Sequence, residues 1–580
     1  MILQALTRYY EDLRSRGEIA APGWAPAKIS FALCLSGDGE LTQVVPTMEE
    51  TMKGKKTVLQ PQVFSLPAAV KRASNVDSNF LWDNSGYLLG IDQKGKPERS
   101  YKCFAAAAKL HHAVLDGVDS PAARAILTFF DTWEPTHAAE HPALAGQLDE
   151  VTAGGNLLFR VDGHKVEKDA DIHEAWRSYR DSGDADAVRM QCLVTGREDE
   201  ITATHPAIKG VRDAQSSGAA LVSFNAPAFC SYGHEQNFNA PVGKYAAFAY
   251  TAALNHLLAD KNNVQIIGDT TVVCWAEGAD AAYPDFFSAV MSGGSYDGLS
   301  DNDLRAALRR VAKGEPCDDL GVDPERPFYI LGLAPNAARL SVRFFLRDSF
   351  GKLMENVNDH YERMEIVRPA YEKFTYLPLW AMLRETVNLN SRDKSPSPAM
   401  AGAAARAVFS GTRYPASLLE ATMLRIRAER SITWGRAAII KAYYLKNPHK
   451  DCPEEVLTVS LNEASTDTAY TLGRLFSVYE AVQQAANPGI NATIKDKYFN
   501  SAAAMPASIF PVLNNLYQKY LRKLETGQRV YYDKQVMALK GSLGESYPTR
   551  MTLAQQGAFD LGYYHQTQKR YTKKEEEKNV

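Results

Sequence analysis

Asn390–Pro398, NSRDKSPSP, separates two stretches of sequence with different patterning. Two prolines two residues apart among serines fit neither a helix interior nor a central strand, so the chain passes through here as a turn or extended segment. On the C-terminal side strand signals almost vanish. Ala399–Phe409, Ala416–Arg430 and Arg436–Leu445 consist of good helix formers separated by Gly411, Pro415 and Pro448. A break at Asn447–Pro453 and a strand-like Val456–Leu461 precede a long helix. Its cap lies among Ser465, Thr466 and Asp467, and it closes at Asn487-Pro488-Gly489. Its apolar stripe, Leu472, Leu475, Phe476, Tyr479 and Val482, is matched in Ser508–Glu525 by Val512, Leu513, Leu516, Tyr517, Tyr520 and Leu524. Helices so patterned bury one face against each other, as in a bundle.

On the N-terminal side the signals mix. Lys28–Leu35, Gly86–Ile91, Asn263–Trp275 and Phe328–Leu333 read as strands, while Tyr101–Leu115 and Gly243–Leu258 read as helices. An Asp-rich helix-turn region around Asp169–Asp186 reads as solvated surface. The fold class expected is α+β: a large mixed α/β domain over 1–389, a helical connecting region over 390–455 and a C-terminal helical bundle over 456–580. No internal repeat is visible.

With 580 residues, 45% hydrophobic and 23% charged, the chain reads as folded and multidomain. Its formal charge of -3 argues against coating nucleic acid through bulk charge and leaves local basic stripes open. The seven cysteines are scattered singly with no CxxC pair, which speaks for a reducing, cytoplasmic setting and against a zinc ribbon; no metal or cofactor is expected. The opening MILQALTRYYEDLRSRGEI meets Glu11 and Asp12 too early for a secretory leader and reads as an amphipathic helix. No uncharged run approaches the length of about 20 residues that spans a bilayer. Phosphate-loop, dinucleotide-fingerprint, HExxH and GxSxG motifs are all missing. A hydrolase without a recognised motif and a purely structural scaffold of a ribonucleoprotein remain the alternatives to a binding role.

Three polar cassettes stand out. Lys71-Arg72-Ala73-Ser74-Asn75-Val76-Asp77-Ser78-Asn79-Phe80-Leu81-Trp82-Asp83-Asn84 combines cations for phosphate with asparagines for base edges. Here Lys71, Arg72, Asn75, Asn79 and Asn84 are the candidate readers, and Asx turns around a core Trp82 are the structural alternative. The second cassette is Ser223–Tyr250, SFNAPAFCSYGHEQNFNAPVGKYAAFAY, rich in amides and aromatic faces and poor in catalytic pattern. Its contact candidates are Asn225, Tyr232, Gln236, Asn237, Asn239 and Lys244. In the third, Pro335–Arg347, the even spacing of Arg339, Arg343 and Arg347 puts all three on one face in either helix or strand, with Asp348 and Glu355 as competing ion-pair partners. Lys519, Arg522 and Lys523 add a basic edge to the terminal bundle, away from its apolar stripe.

Six stations in order, MILQALTRYYEDL, SN...FLWDNSGYLLG, SFNAPAFCSYG...NFNAP, GDTTVVCWAEG, FYILGLAPNAARLSVRFF and RIRAER...RAAIIKAYYLKN, resemble the large subunit of the type I-C CRISPR surveillance complex, Cascade, over the whole chain. The resemblance implies a non-catalytic protein that recognises a short protospacer-adjacent motif in duplex DNA while guide RNA reads the remaining sequence. It implies as partners the CRISPR RNA, target duplex and displaced strand, the backbone, RNA-end-capping and small subunits, and a helicase-nuclease recruited afterwards. On that basis Lys71, Arg72, Asn75, Asn79 and Asn84 are expected at the motif. Asn225, Tyr232, Gln236, Asn237, Asn239 and Lys244 are expected as a wedge or neighbouring contact, Arg339 and Arg343 on phosphates, and Lys519, Arg522 and Lys523 along the displaced strand. The bundle is expected to resemble the small subunit, a separate copy of which would start near Val456 or Val459, or less favourably Met423.

Overall fold

The strand expected over Lys28–Leu35 is broken at Ser30, and the break sends the chain into two sheets. In the computed structural model, which describes residues 1–53, 56–70, 76–93, 96–182, 187–293, 299–372 and 374–576, Trp24–Ile29 pairs antiparallel with Lys56–Pro67, which in turn pairs with Met48–Lys53. Phe31–Leu35 joins a different sheet, parallel to Asn156–Val161 and antiparallel to Leu41–Pro46. Ser30 serves both: its N–H donates to Asn156 O (2.8 Å) and its carbonyl accepts from Thr47 N–H (2.8 Å). Trp82–Asn84 borders Asn156–Val161 on the far side. The helices Pro97–Leu115, Pro121–Thr132 and Ala170–Asp181 bury Phe104, Ile126, Phe129 and Ile172 in one core with Leu33, Leu157 and Phe159.

Gly86–Ile91, expected as a strand, is instead a single helical turn, Ser85–Leu88. The reason is local: Asn84 Oδ1 accepts the Gly86 N–H at 3.0 Å, the cap that begins a helix. Immediately before it Leu81 is left-handed (φ 67°) and fully buried, and its N–H donates to His111 Nε2 at 3.0 Å. His111 Nδ1–H donates to Ala107 O at 2.7 Å, so the imidazole is neutral in this tautomer, and burial pulls its pKa down to about 4.

The chain forms two compact units, residues 3–204 with 224–252 and residues 205–223 with 253–580. The sequence places boundaries at 389/390 and 455/456, yet one core runs through both, from Ile267 to Tyr564. The proline-rich segment is a turn inside this unit. Past it, Pro398–Ser410 buries Met400, Ala401, Ala404, Ala405 and Val408 in the same core as the four-stranded sheet that precedes it. Small side chains on that helix allow the close approach: Ala401 stands directly beside Gly268 in the left-handed turn (φ 64°) between two of the strands.

That sheet runs Val264–Ile267, Thr270–Ala276, Pro327–Asn336, Arg339–Ser349, antiparallel throughout. Phe328, Ile330, Cys274 and Phe344 belong to the core shared with the helix Phe350–Met364. Val456–Leu461 forms no strand: Glu454–Val456 is a 3-10 turn, and Asn462 Nδ2–H donates back to Glu455 O at 2.9 Å. The helices after Asp467 make the expected bundle, led by Thr468–Ala486 against Leu553–Glu576. No helix among the described residues is long and apolar enough to cross a membrane.

Those two helices touch backbone to backbone. A Cβ on Gly473 would land inside the Phe559 carbonyl oxygen, and one on Gly562 inside that of Tyr470. Side-chain bridges flank the contact: Tyr470 OH to His565 Nδ1 (2.8 Å), Tyr563 OH to Glu480 Oε2 (2.5 Å), and Ser477 Oγ to Thr567 Oγ1 (2.8 Å). Gly473→Ala or Gly562→Ala is therefore expected to destabilise the larger unit by about 1–3 kcal/mol or more, the cost of overpacking a closed interface. Gly527→Ala, where nothing lies within 4 Å, serves as the control. Urea unfolding followed by circular dichroism makes the comparison, and a Gly473→Ala midpoint equal to the control's would show that the helices can separate freely.

Candidate nucleic-acid interface

From Ile201 to Gly243 the chain has almost no ladder to satisfy its backbone, and polar side chains do so instead. Asn237, 3% exposed, donates from Nδ2 to Thr202 O (2.8 Å) and Val242 O (3.4 Å), and its N–H reaches Ala203 O (3.1 Å). Asn239 Oδ1 accepts the Ser231 N–H (2.8 Å), and its Nδ2 donates to His234 O (3.1 Å) and Gln236 O (3.0 Å). These two amides hold the loop between them.

At its tip, Ser231–His234 is a tight turn closed by His234 N–H to Ser231 O at 3.0 Å, with Tyr232 and Gly233 both left-handed (φ 52° and 73°). That is the type I′ geometry, which suits Asn-Gly or Gly-Gly and not a tyrosine at the first position. Forcing a bulky L-residue there costs roughly 1–2 kcal/mol. The tyrosine gains no packing in return, since it is 98% exposed. Strain at an exposed aromatic, in a turn bracketed by the hydrogen bonds of Asn239, makes Tyr232 a candidate contact residue. Phe229 is also exposed beside the turn, as are Asn225 and Gln236. Lys244 opens the following helix, Lys244–Ala259, and its ammonium lies 3.3 Å from Glu200 Oε2.

The first cassette behaves differently. Lys71, Arg72 and Asn75 lie outside the described residues. Asn79 is 5% exposed; its Oδ1 accepts the Val70 N–H (2.9 Å) and its own N–H donates to Asp83 Oδ2 (2.9 Å). Asn84 caps the turn described above and donates from Nδ2 to Asp83 Oδ1 (3.3 Å). Trp82 Nε1–H reaches Pro67 O at 2.8 Å. Asn79–Asn84 is thus a wired turn around buried Leu81 and Trp82, the arrangement that Asx chemistry predicts.

The third cassette is a strand, paired with Pro327–Asn336 through a turn in which Ala337 is left-handed (φ 52°). The arginines do not all share a face. Gly332 pairs with Phe344 and Leu333 with Val342, so Arg343 is the extra residue of a β-bulge. The bulge reverses the alternation, placing Arg339 on the face opposite to Arg347. Arg343, 38% exposed, pairs with Asp269 (Nη2 to Oδ2, 3.2 Å), a partner on another strand turn and not the nearby Asp348 or Glu355. Arg347 lies over the Tyr329 ring at 5.8 Å. At the hairpin tip Leu340 N–H donates to Ala220 O (2.9 Å), tying Arg339 to residues 205–223 of the same unit.

Lys519, Arg522 and Lys523 are exposed at the end of Pro506–Leu521, with the Lys523 ammonium 5.8 Å from the Tyr520 ring and 3.4 Å from Asn487 Oδ1. Among the described residues no three His, Cys, Asp or Glu side chains gather as a metal site. One polar cluster escaped the sequence reading altogether: Arg474, Lys569 and Arg570, joined by Tyr531 and Tyr532, line a cleft in the bundle. Its members are spread over about a hundred positions and show no local signature.

A sequence model of the family described as CRISPR-associated protein (Cas_Csd1) matches residues 6–571. Among curated proteins none matches. Removing the Asn239 side chain should release the tip. Asn239→Ala deletes three hydrogen bonds, each worth about 0.5–1.5 kcal/mol net, so amide exchange at Ser231 is expected to accelerate about tenfold or more. Unchanged exchange at Ser231 would show that the loop is held by other means.

Proposed function

Given that the chain belongs to the Cas_Csd1 family of CRISPR-associated proteins, we propose that it is the large subunit of a type I-C Cascade surveillance complex acting in the cytoplasm. In this reading it catalyses no reaction. It recognises a short motif in duplex DNA beside the protospacer, starts strand separation for the guide RNA, and supports arrival of the helicase-nuclease. Its partners are the guide RNA, the target duplex and displaced strand, and the backbone, RNA-end-capping and small subunits.

The observation that carries the reading is Tyr232, an exposed aromatic fixed in a strained turn. Opening a base step costs a few kcal/mol, and proteins that do so insert a stiff apolar or aromatic wedge. A flexible loop would lose in ordering entropy what stacking returns. Here Asn237 and Asn239 fix the loop before DNA arrives, so the entropy cost is met in folding. Asn225 and Gln236 stand near enough in sequence to supply hydrogen-bonding edges to exposed bases. Arg343 suits phosphate, because its guanidinium, already oriented by Asp269, keeps donors exposed. Since strand exchange with guide RNA is close to balanced in energy, contacts of this size decide whether it begins.

The test uses mobility shifts of the assembled complex on three DNAs: duplex with the motif, duplex with the motif scrambled, and the motif duplex carrying a pre-opened bubble. Tyr232→Ala is expected to weaken binding to the closed motif duplex about tenfold, a wedge's share of one unstacked step, and to leave the bubble nearly unaffected. Equal losses on closed and open DNA would remove the wedge. Arg343→Ala is expected to weaken motif and scrambled duplex alike and to lower the slope of log K against log salt by about one, the signature of one lost phosphate contact. An unchanged slope would take Arg343 off the phosphate path.

A further inference from the structure

The cleft between Thr468–Ala486, Thr526–Gly541 and Leu553–Glu576 has a volume of about 300 Å³, at the lower end of the range for small-molecule sites, roughly 300–1,000 Å³. Its chemistry is uneven. Arg474, Lys569 and Arg570 face one acid, Glu463, across the lining, so the cleft carries an excess of two positive charges. Arg474 and Lys569 are committed to holding the walls. Arg474 Nε–H donates to Gln566 Oε1 (3.2 Å) and its Nη1 reaches the carbonyls of Asn462 and Glu463 (3.3 and 3.4 Å), while Lys569 pairs with Glu463. Arg570 is different: among the described residues it meets no carboxylate and touches Tyr571, whose hydroxyl lies at 3.3 Å and whose ring lies under the guanidinium at 5.1 Å. It also lies close enough to Tyr532 to oppose the upward pull that burial exerts on that phenol.

Two tyrosines in edge-to-face contact share the lining, ring centroids 5.2 Å apart, one of them (Tyr531) 51% exposed. Gln535, Gln566 and Ser542 also line the cleft, Gln566 with its Oε1 already accepting from Arg474. A half-exposed aromatic face, amide edges and a guanidinium that meets no carboxylate among the described residues are the three parts that hold a base, its hydrogen-bonding edge and its phosphate. An apolar ligand would leave the arginine's charge without an anion, and a bare anion would leave the tyrosines unused.

We propose that this cleft seats one nucleotide unit of single-stranded nucleic acid, with the base against Tyr531 and the phosphate on Arg570. The inference rests on the Cascade reading for the origin of the strand, the one displaced from the target. It adds a defined pocket to the exposed edge of Lys519, Arg522 and Lys523. A free mononucleotide shares the same chemistry, and the experiment separates the two sources.

The full-length protein is titrated with fluorescent oligo(dT), with dTMP added as competitor. In parallel, an oligonucleotide carrying 5-iododeoxyuridine is photocrosslinked and the attachment site is mapped by mass spectrometry. Tyr531→Ala and Arg570→Ala are each expected to weaken oligo(dT) binding about fivefold or more. Arg570→Lys should recover part of the loss and Lys534→Ala, on the same helix as Tyr531 but outside the lining, should lose little. The parent protein should crosslink at Tyr531 or Tyr532, and dTMP should compete only at far higher concentration than the oligonucleotide. Crosslinks confined to other segments, or variants that bind like the parent, overturn the proposal, as does binding of dTMP without binding of oligo(dT). Because the readout is single-stranded DNA, a cleft that fails leaves motif-dependent duplex binding through Tyr232 untouched, and the converse also holds.

Discussion

A backbone that leaves the ladder of sheet and helix must find its hydrogen bonds elsewhere, and the Tyr232 wedge depends on how residues 201–243 solve that problem. They do it with side-chain amides. Asn237 reaches back to Thr202, Asn239 closes over Ser231, His234 and Gln236, and the buried Cys192 Sγ accepts the Gly243 N–H at 3.2 Å. In the other unit Asn255 does the same for Ala207 and Lys209, and Thr271 for Arg212. Each amide supplies donors and an acceptor from one fixed point, so irregular chain becomes as determined as a strand. Rigidity of this kind is what permits Tyr232 to remain in a conformation it would leave if the chain were free.

The division of labour among asparagines follows from burial. Asn79 and Asn237 are committed to the protein, and Asn84 to a helix cap. Exposed Asn225 and Gln236 retain edges toward solvent. Amide content in a sequence therefore marks a surface loop in two ways, as what holds it and as what it offers. The geometry assigns most of the amides here to holding. The aromatic at the tip is the group left without a structural reason.

The α+β class, the helical C-terminal region and the stripe of its long helix were legible because periodicity reports burial directly, whereas Val512 of the matching stripe is 41% exposed. Asp467 caps the long helix as expected, and Leu472, Leu475, Phe476, Tyr479 and Val482 are all buried. What was not legible has physical causes. Gly86–Ile91 is apolar enough for a strand, but an Asn84 cap outweighs that preference over so short a span. The even spacing of Arg339, Arg343 and Arg347 means one face only in an unbroken strand, and one extra residue at Arg343 reverses it. The NSRDKSPSP segment is a real break in secondary structure and yet no break in the core, because the alanine-rich helix after it packs back onto the sheet before it. The cleft of Arg474, Tyr531 and Arg570 depends on three helices meeting, which no local pattern encodes.

Tyr232 as a wedge is the claim on which the functional account turns, and base stacking reports on it directly. In the assembled complex, 2-aminopurine placed at the first base pair beside the motif should brighten on binding as it unstacks. With Tyr232→Ala at saturating concentration it should stay dark. An equal rise in fluorescence with parent and variant would show that the duplex is opened without this residue, and would contradict the account.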